Sequence, residues 1–249
     1  MASFDIAYPI TIANEGGYIS AADAKKQGDK GGETYMGVSR VYNPNWAGWA
    51  IIDNYKSTNG IPAYNSYIPD PNGTLSNLVK EIYKSQYWDA IKGDSINNQD
   101  IANLTFDMKV NSGGLGVEIA QQSVNKLIAP DSITVDGDVG DTTLGKINSL
   151  PADQLYQTML DTRQNWIDTT GAMEDPQAVS GWLNRLNSFR KSIVEDVSQG
   201  ISDVSDQYTQ ETTKFGKNYV NLGIAVIVLT VTVVGTGLLV YYIKTKKNA

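Results

Sequence analysis

The chain has 249 residues, 41% apolar and 19% charged, with no cysteine and no histidine. That is room for a large packed domain with an appendage, and it excludes disulfide frameworks, thiolate and histidine metal sites, and any triad built on Cys or His. Residues 1–217 carry a balance of −10 and residues 218–249 a balance of +3, and so acidic a body argues against nucleic acid as a partner.

Acid–base chemistry is thereby left to carboxylates, lysine and tyrosine, and carboxylates working without metal or histidine are the equipment of a glycosidase. Along the chain, residues 4–14 are ambiguous. Ile6, Ile10 and Ala13 fit one helical face, while Pro9 and the β-branched residues oppose a helix. Residues 15–40, with glycine at 16, 17, 28, 31, 32 and 37, read as a loop or short hairpin. Residues 41–73 suggest short helices and turns.

The periodicity then predicts helices over 75–87, 101–110, 117–128, 142–148 and 152–169, with a turn at 136–141. Leu75, Leu78, Val79, Ile82 and Tyr83 form one face of the first. Leu155, Met159, Leu160, Trp166 and Ile167 point inward from the last. Another helix is expected to start near Gln177 and to carry Trp182, Leu186, Phe189 and Ile193 into the core. Its acidic, Ser/Thr-rich continuation over 196–217 reads as a stalk, with a short coiled-coil seam as the alternative.

Val220 to Ile243 is 24 residues without a charge or a proline. As a helix it would be about 36 Å long, against about 30 Å of hydrocarbon. Tyr241 and Tyr242 stand where an interfacial aromatic belt lies, and Lys244, Lys246 and Lys247 follow. This predicts a single transmembrane helix, the three lysines against Lys214 and Lys217 favouring an inner-side tail. The start, MASFDIAYPITIAN, lacks the basic residues and long apolar run of a signal peptide.

The chemistry concentrates at N-E-G-G-Y, where Glu15 would end the first helix, and at D-K-G-G-E-T-Y-M-G-V-S over 29–39. A glutamate at the negative end of a helix dipole, roofed by a glycine-rich loop, is expected to ionise reluctantly. A carboxyl kept protonated near neutral pH can donate its proton to a glycosidic oxygen. Across the cleft, Asp29 and Thr34 are the groups able to hold a water. Asp136, Asp138 and Asp141 imitate a calcium loop but lack its oxygens at the needed positions, so no metal site and no cofactor are expected.

These residues resemble glycoside hydrolase family 108, the peptidoglycan-cleaving lysozymes marked by E-G-G-Y. Asp29, Gly31, Gly32, Thr34, Gly37 and Val38 match the pattern that follows it. Tyr83, Tyr87, Trp88 and Asp89 match a Y-x-x-x-Y-W-D segment, and Phe106, Asp107, Asn111, Ser112 and Gly113 match F-D-x-x-V-N-S-G. The turn at 136–143 and Gly181, Trp182, Asn184 and Arg185 resemble the peptidoglycan-binding region that closes the family's body. The resemblance spans roughly residues 4–193 and settles the first segment as helix.

It implies a mainly α, lysozyme-like body with a small hairpin region at the active site. Glu15 maps to the essential acid, with Asp29 and Thr34 beside it, and Tyr18, Tyr35, Trp46, Trp49, Trp88 and Asn111 are read as substrate contacts. Trp88 suits a core as well as a sugar platform, and Arg185 suits a structural tie. The body divides into a catalytic part, 1–92, and a peptidoglycan-binding-like part, 93–195, followed by the stalk, the membrane helix over 218–243 and a basic tail.

The expected function is a membrane-anchored muramidase cutting the β-1,4 bond between N-acetylmuramic acid and N-acetylglucosamine. Its partners would be peptidoglycan, a lipid membrane through residues 220–243 and other virion proteins, in a phage virion membrane or a bacterial inner membrane. A lytic transglycosylase using the same glutamate, a wall-binding module and a structural membrane protein are the alternatives.

Overall fold

The computed structural model describes residues 1–171, 173 and 178–190, and the backbone of 229–234 and 237–242. Residues 1–190 form one unit and 191–249 a second. The first is built around α5 (Gln99–Ser112), buried without a break from Ile101 to Met108. Apolar and small residues on every face make it a central helix rather than an amphipathic one. Asn98 starts it, its side-chain oxygen accepting from the Ile101 amide at 3.0 Å.

Three helices pack on α5: α1 (Phe4–Ile12), α6 (Gly114–Ile128) and α8 (Ala152–Trp166). A Cβ at Gly116 would collide with the Met108 carbonyl, so α6 crosses close against α5 only because residue 116 has no side chain. α1 forms despite Pro9, whose ring removes one helical hydrogen bond. Its buried residues are Phe4, Ala7 and Thr11, at spacings of three and four. Ile6 and Ile10, which the sequence puts on one helical face, are 51% and 39% exposed. Both are large aliphatics, but the stripe that meets α5 is centred on the smaller Ala7, which lets the two backbones approach.

α4 (Thr74–Ile82) continues into a π-helical turn, Tyr83–Trp88. The extra residue in that turn brings Tyr83 and Trp88, five apart, to the same buried side. Phe4, Trp88 and Phe106 meet with ring centres 5.6–5.7 Å apart, joining α1, α4 and α5 in one aromatic core. Residues 15–40 hold a short helix, α2 (Ala21–Lys26), and an antiparallel sheet of two-residue strands: β1 (Tyr18–Ile19), β2 (Thr34–Tyr35) and β3 (Val38–Ser39). The expected loop or hairpin is thus a three-stranded sheet. Residues 41–73 contain one full helix, α3 (Gly48–Asn59), longer than the short pieces expected there.

α7 (Asp141–Ser149) and α8 follow the turn at 136–141, which is held by Gln121. The Gln121 amide nitrogen donates to Asp136 Oδ1, and its oxygen accepts from the amides of Asp136 and Gly137. A further helix, α9, covers 179–190 and buries Leu186 and Phe189. The expected continuation through Ile193 and the stalk lies outside the described residues.

In the second unit, β4 (Leu229–Val234) and β5 (Gly237–Tyr242) pair antiparallel, Val234 opposite Gly237 and Leu229 opposite Tyr242. Over these residues the structure holds strands where a membrane helix is expected. The cause lies in the composition, since Thr230 to Val234 is β-branched at every position. Among the described residues no helix is long and apolar enough to cross a membrane.

Candidate active site

Glu15 follows α1 directly, its amide donating to the Ile12 carbonyl at 3.0 Å. Gly16 and Gly17 come next because another segment presses on them. Asn65 Oδ1 accepts from the Gly17 amide at 2.7 Å, and a Cβ at either glycine would collide with residues 65–66. The chain then enters β1, where Tyr18 faces Tyr35.

The β2–β3 connection is Met36-Gly37, both at positive φ (46° and 77°). This is the geometry of a two-residue I′ hairpin turn. For Met36 it costs on the order of 1–3 kcal/mol, and the turn is held by the Tyr83 hydroxyl, which donates to the Met36 carbonyl at 2.9 Å. The turn lies against the acid. A Cβ at Gly37 would stand 3.1 Å from Glu15 Oε2 and collide with the Tyr83 hydroxyl. The roof over Glu15 is therefore one glycine supported by one tyrosine from the π-helical turn.

This makes a sharp expectation. Gly37→Ala should cost about 2 kcal/mol or more, from left-handed backbone and overpacking together, and should reduce activity more than ten-fold. Gly28→Ala is the control: it has a similar φ of 74° with open space around it, so it should cost only the backbone part. Thermal unfolding beside an activity assay separates the two, and equal effects would remove Gly37 from the site.

Behind the roof Glu15 is paired. Arg185 on α9 donates from one terminal nitrogen to Glu15 Oε1 at 2.8 Å, and from Nε to Asp107 at 2.8 and 3.0 Å. The side chains are only 18% (Glu15), 11% (Arg185) and 5% (Asp107) exposed. Burial pushes the Asp107 carboxyl up, against the pull of the Arg185 charge and its hydrogen bonds. Burial works against the Arg185 charge, but the two carboxylates outweigh it and hold the guanidinium firmly protonated. Tyr83 and Tyr87 stand behind the same carboxylate, both phenols pushed up by burial first and by the Glu15 charge second.

A second network fixes the sheet, and no motif in the chain marks it. Glu33 accepts from Tyr18, Arg40 and Lys56 at 2.5–2.6 Å, and Arg40 also grips Asp53 through two hydrogen bonds of 2.6 and 2.8 Å. Burial alone would raise the Glu33 carboxyl, yet the bonds from Lys56, Tyr18 and Arg40 win and hold it below the usual carboxylate range. Arg40 lies 5.0 Å from the centre of the Trp49 ring. The only signal in the chain is two acids and two bases at unrelated spacings.

The structure brings Glu15, Arg185 and Asp107 together and places the other expected residues as follows. Asp29 is exposed and folds back on its own loop, accepting from the Gly31 amide at 2.7 Å. Thr34 is half-buried on β2, its hydroxyl donating to the Gly32 carbonyl at 3.2 Å. Tyr18 and Tyr35 are buried cross-strand partners in the sheet, not surfaces for a sugar.

Trp49 is buried and donates to the Asn43 carbonyl at 2.7 Å, and Trp88 is fully buried and donates to Asp94 at 2.8 Å. In this structure both are core, because each indole N–H finds an internal partner. Trp46 is half-buried, tied to the Leu78 carbonyl at 3.2 Å. Asn111 is half-buried and accepts from Arg163 at 2.6 Å; burial lowers that guanidinium to about 10. Among the described residues no cluster of three or more acids is placed to hold a metal.

Residues 8–113 match the family model described as Glycosyl hydrolase 108. No curated protein matches. Among solved structures, that of Brucella abortus SagA superposes with a TM-score of 0.50 at 21% identity, covering 77% of this chain and 94% of that one. At that identity the likeness speaks for the fold alone, which is mainly helical and consistent with a lysozyme-like domain. The family match extends past residue 92, the expected end of the catalytic part, and takes in α5 with Asp107 but not α9 with Arg185.

Proposed function

We propose that the chain, whose residues 8–113 match the Glycosyl hydrolase 108 model, is a glycoside hydrolase of the muramidase type that cleaves peptidoglycan between N-acetylmuramic acid and N-acetylglucosamine, with Glu15 as general acid. The observation that carries this is the mounting of Glu15. Oε1 is fixed by Arg185, while Oε2 lies beside the Gly37 turn. A donor fixed at one oxygen presents the other in a defined direction, and orientation is most of what such a group contributes. In this proposal the attacking water comes from the opposite face of the sugar, giving inversion, and Asp29 and Thr34, on the loop and strand leading into that turn, would place it once released from their bonds to Gly31 and Gly32.

The test is mass spectrometry of products from purified peptidoglycan. Reducing N-acetylmuramic ends support the muramidase, anhydro ends would make the enzyme a lytic transglycosylase, and no fragments would leave a binding or structural protein.

Residues 220–243 are the membrane anchor in this proposal. A two-stranded hairpin taken into hydrocarbon keeps unpaired N–H and C=O groups along both outer edges, whereas a helix satisfies every one internally. The same uncharged sequence is therefore expected to be helical in a bilayer. Peptidoglycan is anionic, so an acidic body gains nothing from steering, and a tether raises its concentration at the wall instead. The enzyme then works from a membrane that faces peptidoglycan, that of a phage particle or the bacterial inner membrane. Full-length protein in phosphatidylglycerol-containing vesicles should resist carbonate extraction, and the isolated 218–249 peptide should give a helical infrared amide band there. Extraction, or a β band in the vesicles, would remove the anchor.

A further inference from the structure

The large aromatic residues that stay open beside the acid are not the ones the sequence motifs single out. Tyr64 and Tyr67 are 56% and 62% exposed, and Ile61 beside them 73%. Exposed rings are ordinary when scattered, but these two sit on a segment bolted to the Glu15 elbow. The Tyr18 amide donates to the Ser66 carbonyl at 2.8 Å, the Asn65 amide to the Tyr18 carbonyl at 2.7 Å, and the Gly17 amide to Asn65 Oδ1 at 2.7 Å. Ser66 thereby forms an antiparallel bridge with Tyr18, adding a rung to the outer edge of β1.

The segment is also rigid in itself. A turn is closed by the Ser66 amide on the Ala63 carbonyl at 3.0 Å, with Tyr64 and Asn65 at its centre. Asn65 takes a φ of 59° there, a left-handed conformation that asparagine tolerates and most residues do not. Ile68 is buried, and its amide reaches the Tyr35 hydroxyl at 3.4 Å. The strain at Asn65 and the missing side chains at Gly16 and Gly17 serve one result. Two exposed tyrosines flank a backbone that is hydrogen-bonded to Gly17 and Tyr18, two and three residues after the acid, and a backbone held in place costs little ordering when a ligand arrives.

We infer that Tyr64 and Tyr67 form a stacking platform for the glycan strand, binding sugar rings beyond the bond that is cut. The inference rests on the muramidase reading and adds to it the residues that hold the polymer in register. The occupant is set by chemistry. A hexosamine ring offers an apolar C–H face that covers a phenol ring and hydroxyls that reach its oxygen, and such exposed aromatic surface at a polar rim marks a binding site. Continuity with the Glu15 elbow directs the strand toward the acid.

The test uses the full chain with Glu15→Gln to stop turnover. Tyr64→Ala/Tyr67→Ala and Tyr64→Phe/Tyr67→Phe are added to it, and binding to sacculi is measured before and after the peptide stems are removed enzymatically. The double alanine variant should bind at least ten-fold more weakly to both preparations, and the double phenylalanine variant within three-fold of the parent. In chains that retain Glu15, the alanine pair should raise KM with kcat nearly unchanged. Independently of any substitution, glycan strands without peptide should slow nitration of Tyr64 and Tyr67 by tetranitromethane.

Unchanged binding and unchanged nitration in a protein that cleaves the wall would overturn the platform alone. Loss of binding confined to sacculi that keep their stems would also overturn it, since the contact would then be with peptide. Absence of cleavage by the chain that retains Glu15 would instead strike the muramidase reading.

Discussion

Glu15→Gln should lower peptidoglycan cleavage at least a hundred-fold, the lower end of what a positioned proton donor contributes. The change is nearly isosteric. The amide oxygen can take the place of Oε1 and keep accepting from Arg185, now 2.8 Å away, while the amide nitrogen stands beside Gly37 and has no acidic proton to give. Arg185 remains neutralised by Asp107, so the fold should survive, with thermal unfolding moved by only a few degrees. Binding to sacculi should stay within about two-fold of the parent. Reducing muramic ends should appear only with Glu15 present. Residual cleavage above a tenth of the parent value would place the acid elsewhere, and Asp107 would be the next carboxylate to examine. Collapse of the fold together with activity would mean that Glu15 is chiefly the structural partner of Arg185.

The elements legible in the sequence are those whose burial is local. α4 and α8 announce themselves because their apolar residues recur at helical spacing, and Leu75, Val79 and Tyr83 are buried as that spacing requires, while α5 is legible as a stretch apolar enough to be central. α1 carries the opposite local signal at Pro9, and only packing on α5 makes it a helix. The elbow was readable as a motif but not as a structure. Nothing near Gly16-Gly17 in the chain says that residues 65–66 will press on them.

The tryptophans show the same limit. Trp49 stands in a segment that reads as short helices and turns, and Trp88 suits a core as well as a sugar platform; their indole nitrogens are claimed by Asn43 and Asp94, and a ring whose polar end is satisfied inside has no reason to wait for a sugar. Arg185 lies 170 residues from Glu15 in sequence, so no spacing argument could couple them. At the C-terminal end the composition supports two readings at once. Uncharged and 24 residues long, the segment suits a membrane helix, while its run of valines and threonines suits the strands seen.

The second large effect is expected at Arg185. Its guanidinium is shared by two carboxylates that are themselves almost out of solvent, and it brings α9 onto α1 and α5. Arg185→Ala leaves Asp107 and Glu15 facing each other without a cation. Breaking a buried pair from one side costs about 3–5 kcal/mol, and for a body of this size each kcal/mol is about 2–4 °C of Tm. Unfolding should therefore come at least 6 °C earlier. Arg185→Lys keeps the charge but cannot bridge both partners with one planar fork, so it should recover part of the stability and little of the activity.

Asp107→Asn in the Arg185→Ala background removes the stranded buried charge, and it should restore stability without restoring cleavage, because Glu15 still lacks the contact that aims it. That split distinguishes a residue that positions the acid from one that only ties helices. If the double variant recovers stability and cleavage together, Arg185 serves the fold alone, and Glu15 is aimed by the Gly37 turn without help from α9.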